Sequence, residues 1–221
     1  MKFKLVVFDW DGTLMDSTSL IARCVRSACK DANLLDPGDA AALYVIGLGL
    51  VEALRHVAPD ISLAQVEFVA ERYRYHYLHS GGSLSLFASA KPLLELLHSS
   101  GVALAVATGK SRVGLNQALQ AHSLDKFFAA TRCADECHSK PHPQMLHELM
   151  DELMVEPANV LMVGDTTHDL DMARAAGVCG VAVTTGAHGV ELLQKSRPHL
   201  CFDSLESLQP WLLQHIGLEN G

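Results

Sequence analysis

The chain has 221 residues, 49% of them apolar and 19% charged, with a formal net charge of −8. A globular chain of this length buries a core without staples, and its acidity argues against a surface that tracks nucleic-acid phosphates. No apolar run approaches the ~18 residues of a spanning helix, and the N-terminal run meets Asp9 too soon for a signal peptide. The expected setting is cytoplasmic and off the membrane, with the six cysteines reduced. The first predicted element is the strand KLVVF (4–8), which runs directly into Asp9, Asp11, Gly12 and Thr13. Residues 14–85 show no buried strand and read as helices over 17–31, 39–57 and 62–79, ended by the breaker GGS at 81–83. Beyond them come a helix over 91–99 and the strand VALAVA (102–107), followed by Thr108, Gly109 and Lys110. A serine-capped helix follows over 111–121, then FFAATR (127–132) and a loop bearing Lys140 ahead of Pro141. The remaining elements are a helix over 142–153, the strand NVLMV (159–163), a helix over 168–176 closed by Gly177, and the strand VCGVAV (178–183).

The strand segments are Val-rich and apolar throughout rather than alternating, as strands covered on both faces are. Strands alternating with helices imply βα units, so the expected fold is α/β: a Rossmann-like, doubly wound parallel sheet. Its core spans residues 1–14 and 86–221, and residues 15–85 form an inserted α-helical domain. Ligands of such sheets bind beyond the carboxyl ends of the strands, at the point where strand order reverses. The four strand ends bring Asp9 and Asp11, Thr108, Lys140, and Asp165 with Asp169 to one edge. Carboxylates crowded together raise one another's pKa, and a hard divalent cation with a lysine relieves the conflict. An all-oxygen donor set suits Mg²⁺, which takes a few carboxylates and keeps room for water and a substrate phosphate. Residues two apart on extended backbone point the same way, so Asp11 can share the site with Asp9 while Trp10 points away.

The ordered set FDWDGTLMDS, VATGKS, SKPHPQM and LMVGDTTHDLDMARAAG resembles the four motifs of the haloacid dehalogenase superfamily, in particular its phosphoglycolate-phosphatase-like branch with a helical cap. The resemblance implies a Mg²⁺-dependent phosphatase acting on a small phosphorylated metabolite. Asp9 would be the nucleophile that forms an aspartyl-phosphate, and Asp11 the acid and base. It also implies that Thr108 hydrogen-bonds the phosphate, that Lys140 neutralises it and holds Asp9, and that backbone amides at Gly12 and Thr13 face the phosphoryl oxygens. Asp9, the Asp11 carbonyl and Asp165 would hold the metal, and Asp169, chosen by the GDxxxD spacing, would bind it directly or orient its waters. Gly109 and Arg55 are candidate substrate contacts, the latter on IGLGLVEALRHVAPD (46–60); His56, Arg23 and Arg26 are others.

Asp11 argues against a dehalogenase, and the insert's only lysine, Lys30, argues against a phosphonate-cleaving relative. A β-phosphoglucomutase-like mutase keeps both aspartates and stays an alternative, as does a non-catalytic phosphate-responsive regulator. TGKS (108–111) lacks the P-loop glycine, since Leu104 holds that position, and GLGLVE (47–52) lacks a third glycine for dinucleotide binding. Cys133, Cys137, His138 and His142 lack a second CxxC and read as loop residues rather than a zinc site. His168 reads as an exposed loop histidine, and Met145, Met150, Met154 and Met162 as core filling.

Overall fold

The computed structural model describes residues 2–80 and 84–216. Six parallel strands make the central sheet: β1 (Leu5–Phe8), β4 (Ala103–Thr108), β5 (Ala130–Cys133), β6 (Val160–Gly164), β7 (Cys179–Val183) and β8 (Leu200–Phe202). Their spatial order is β5-β4-β1-β6-β7-β8. The chain therefore moves outward from β1 through β4 to β5 and returns to the other side at β6. The reversal opens a crevice beyond the carboxyl end of β1. Val6 lies in register with Leu104 on one side and Leu161 on the other, so β1 is paired along both edges.

Side-chain alternation divides the core in two. Val6, Phe8 and Trp10 pack with Leu104, Val106, Leu161 and Val163 beneath α5 (Ala90–Ser99) and α10 (Leu205–His215). Leu5, Val7, Ala105 and Met162 face the opposite way, under α7 (Gln144–Leu153) and α8 (Thr167–Ala175). The remaining helices of this part are α6 (Arg112–His122), started by Ser111 accepting from the Gly114 amide, and α9 (Val190–Lys195). Gly177 takes φ +70° just past α8, the left-handed turn expected where that helix stops.

The insert carries α1 (Thr18–Asp31), α2 (Gly38–Tyr44), α3 (Leu50–Val57) and α4 (Leu63–Leu78). It has apolar clusters of its own: Ile21, Val25 and Cys29 with Ala42 and Ile46, and Ala28 with Leu54, Val66 and Val69. The single helix expected over 39–57 is two, because Gly47 at φ +93° breaks the run. No buried strand lies among the insert's described residues, but a short, half-exposed ribbon closes its two ends. β2 (Met15–Asp16) pairs antiparallel with β3 (Ser85–Leu86), a ribbon of two-residue strands too short to leave an apolar pattern. The GGS breaker at 81–83 lies outside the described residues. Met154 is corrected as well: it is 91% exposed, in the left-handed C-cap of α7, where a side chain has left the buried face. No helix among the described residues is long and apolar enough to cross a membrane.

Candidate active site

Asp9 is the first residue past β1, and its side chain is buried at the crevice. The Lys140 ammonium donates to Asp9 Oδ1 at 2.6 Å and to Asp169 Oδ1 at 2.6 Å. Asp165 follows β6 and is held from two sides: the Thr13 hydroxyl donates to Oδ1 at 2.8 Å and the Ala187 amide to Oδ2 at 2.8 Å. Asp169 is fixed by the start of α8, its Oδ2 accepting from the Thr166 hydroxyl at 2.7 Å in a capping box. Carboxylate oxygens of Asp9, Asp165 and Asp169 lie within 4.8 Å of one another.

One buried lysine does not balance three buried carboxylates. Burial, reinforced by Asp169 and Asp165 against the pull of Lys140, raises Asp9 well above the usual carboxylate range. Burial and the Asp169 charge push Asp165 up to about 7. Burial alone would lower Lys140, yet Asp169 and Asp9 hold its ammonium charged well past the usual lysine range. Asp9 Oδ2 is buried with no hydrogen-bond partner. An unpartnered carboxylate oxygen beside two further carboxylates is a donor set that fits Mg²⁺.

This has a measurable consequence for the metal-free protein. A carboxylate whose folded pKa is raised stabilises the fold below its unfolded value, near 4, and loses that contribution as pH rises through about 7. His168 and His188, lowered by burial, act in the opposite sense. The gain in Tm on adding Mg²⁺ is therefore expected to grow between about pH 5 and pH 8, by roughly 5–10 °C. Differential scanning fluorimetry with EDTA and with Mg²⁺ measures it, and a gain independent of pH contradicts the assignment.

Asp11 stands apart from the three acids. Its Oδ1 accepts from Ser17 at 2.6 Å and pairs with Lys110 Nζ at 3.0 Å. Its carbonyl enters no described hydrogen bond. Trp10, between the two aspartates, is buried in the core. Gly12 sits at φ +89°, and a Cβ there would collide with the Asp165 carboxylate. The Gly12 amide donates to the Met15 carbonyl at 2.8 Å, so it is not available to a phosphoryl oxygen as expected. The Thr13 amide enters no described hydrogen bond. The Thr108 hydroxyl oxygen accepts the Lys110 amide at 3.1 Å, which leaves its proton to donate. Gly109 lies so close to the Leu48 and Gly47 carbonyls of the insert that a Cβ would collide with them. GLGLVE thus forms the turn that lays the insert on the strand ends. Arg55 is exposed on α3 and makes no described ion pair or hydrogen bond with these groups. Arg26 pairs with Asp36 and Asp39, and His56 stacks on Tyr44.

His168 is buried rather than exposed. Its Nε2 donates to the Tyr44 carbonyl at 2.8 Å, and His188 Nε2 donates to the same oxygen at 3.0 Å. His188 Nδ1 accepts the Thr167 amide at 3.0 Å, which places its own proton on Nε2. Tyr44 ends α2, where carbonyls have no partner within the helix, so the core supplies both donors.

The family model for haloacid dehalogenase-like hydrolases matches residues 6–183. The chain belongs to that family. It is 34% identical over 210 residues to "Probable phosphatase IndB" of Dickeya dadantii, covering 92% of this chain and 91% of the relative. It is 31% identical over 217 residues to a phosphoglycolate phosphatase of Haemophilus influenzae, covering 94% and 97%. A crystal structure of a predicted phosphoglycolate phosphatase from Haemophilus somnus superposes with a TM-score of 0.84 at 26% identity, covering 96% and 98% of the two chains. Against the family's four motifs, sequence reasoning gave no role to Lys110, Ser17 or Thr166, although all three lie inside quoted stretches. It missed Tyr77 altogether, because nothing local links α4 to the end of β4.

Proposed function

We propose that this protein is a Mg²⁺-dependent phosphatase that hydrolyses a small phosphomonoester of the phosphoglycolate kind through an aspartyl-phosphate on Asp9. The observation that carries the reading is Asp9 itself: buried, held by Lys140 at Oδ1, unpartnered at Oδ2 and grouped with Asp165 and Asp169. The named phosphatase relatives support it, as does the intact motif set. Residues 1–14 and 86–221 are read as the catalytic core, and 15–85 as a cap that excludes water and selects substrate.

In this mechanism an Asp9 carboxylate oxygen attacks phosphorus as the bond to the leaving oxygen breaks. Asp11 transfers its proton to that oxygen, releasing an alcohol. Asp11 then takes a proton from water, whose oxygen attacks phosphorus and breaks the bond to Asp9, giving inorganic phosphate. The Thr108 hydroxyl donates to a phosphoryl oxygen, and Lys140 aims Asp9 and opposes the rise in its pKa. Asp9, Asp165, Asp169 and the Asp11 carbonyl would hold Mg²⁺, which supplies charge neutralisation at the phosphoryl oxygens. General acid–base catalysis supplies about 10²–10⁴ of a requirement that reaches ~10²¹ for phosphate monoesters. Splitting the step and neutralising charge must carry the remainder.

A panel of small phosphomonoesters assayed for phosphate release with and without Mg²⁺ tests the reading. Release from 2-phosphoglycolate that requires Mg²⁺ is expected. A folded protein silent across the panel overturns it, and isomerisation of a sugar phosphate without net release would assign a mutase. Asp11→Asn is expected to slow turnover by about 10²–10⁴-fold while beryllium fluoride still binds at Asp9, seen by ¹⁹F NMR. Loss of fluoride binding as well would give Asp11 a structural or metal role instead.

A further inference from the structure

Two lysines divide the acids of this site, Lys140 fully buried and Lys110 12% exposed at its side chain. Lys140 serves Asp9 and Asp169, whereas Lys110 serves Asp11. Lys110 follows Thr108 and Gly109, and its ammonium also donates to the Tyr77 hydroxyl at 3.1 Å and lies 5.0 Å from the centre of that ring. Tyr77 belongs to α4 of the insert and stacks on Tyr73, with ring centroids 6.0 Å apart. An ammonium only donates, so the Tyr77 oxygen is the acceptor and its own proton is directed elsewhere. No described hydrogen bond receives that proton, nor the hydroxyl proton of Tyr73. Burial raises both phenols above their ordinary pKa, which keeps them protonated donors. The third proton of Lys110 is likewise unassigned. The unassigned protons of Tyr77, Tyr73 and Lys110 therefore gather around the ammonium that pairs with Asp11, apart from the lysine that serves Asp9.

We infer that Lys110, with the hydroxyls of Tyr77 and Tyr73, forms a carboxylate subsite on the leaving-group side and so determines specificity. This rests on the phosphatase reading above, in which the leaving oxygen departs toward Asp11. Whatever that oxygen carries emerges beside the partners of Asp11. A carboxylate separated from the ester oxygen by one carbon reaches the Lys110 ammonium, and the insert must be seated for the tyrosines to close on it. Arg55, a candidate substrate contact from the sequence, makes no described hydrogen bond or ion pair with this place.

The test uses two non-hydrolysable phosphonates in calorimetric titrations, so it does not depend on turnover. 3-Phosphonopropionate carries the carboxylate and propylphosphonate lacks it; both are titrated into the wild-type protein, Lys110→Met and Tyr77→Phe in Mg²⁺ buffer. A charge-assisted contact of this kind corresponds to about 10–150-fold in affinity. The wild type is expected to prefer the carboxylated ligand by at least about tenfold, Lys110→Met to lose that preference, and Tyr77→Phe to narrow it by roughly 2–10-fold. Equal wild-type affinities, or a preference that survives Lys110→Met, overturn the subsite. So does an equal weakening of both ligands by Lys110→Met, which would leave the lysine only a role in placing Asp11. Tyr77→Phe removes one buried-side hydroxyl and keeps the ring, so it reports even if Lys110→Met fails to fold. Failure of the phosphatase reading is seen separately, as absence of phosphate release from every ester by the wild type.

Discussion

Asp9→Asn is expected to abolish phosphate release, with kcat lowered by at least about 10⁴-fold, as befits a nucleophile acting in a concerted unit. The variant should nevertheless fold. Asparagine keeps the shape of the side chain, and its amide oxygen can accept from Lys140 as Asp9 Oδ1 does. It also removes one of three buried negative charges, so the Tm in EDTA should hold or rise. That pairing of lost activity with undiminished stability separates a chemical role from a structural one. Steady-state phosphate release and a thermal melt are sufficient measurements. A kcat within tenfold of wild type would end the covalent mechanism.

Lys140→Met should be costly in both respects. The ammonium is buried and shared by Asp9 and Asp169 at 2.6 Å each. Removing one partner of a buried charge pair costs about 3–5 kcal/mol, because the other charge is left uncompensated. For a chain of this size that corresponds to a fall in Tm of roughly 6–20 °C in EDTA. Catalysis should drop by at least about 10²–10³-fold, as when one preorganised donor is removed from a reacting oxygen. Mg²⁺ should restore part of the stability, since it neutralises the same carboxylates, but not the activity. A Tm within about 2 °C of wild type in EDTA would mean that the acids are not ionised around this lysine.

How much of this was legible beforehand depends on how local each signal is. Asp9, Thr108, Asp165 and Asp169 could be placed on one edge because each follows an apolar strand-like run, and a parallel sheet aligns strand ends. The break at Gly47 was harder to read, because Leu48, Leu50 and Val51 continue an apolar pattern through it and suggest one helix. His168 was read as exposed because it lies among Asp, Thr and Asp; the carbonyl that buries it belongs to Tyr44, a partner 124 residues away. Gly12 illustrates a subtler limit. Its need for positive φ is legible, but the Met15 carbonyl that takes its amide comes from the two-residue ribbon, which has no sequence signature. No element or site residue is predicted after residue 183, yet Ala187 and His188 in the loop beyond β7 help fix Asp165 and the insert.

The two histidine N–H groups that meet on the Tyr44 carbonyl bear on how firmly the insert is joined to the core. Each such bond is worth about 0.5–1.5 kcal/mol net, so lifting the insert must break about 1–3 kcal/mol of attachment at a single oxygen. Because the acceptor is main chain, no substitution at residue 44 deletes it. Only substitution on the core side, at His168 or His188, removes a donor from this joint, while the side chain at position 44 can change without deleting its acceptor.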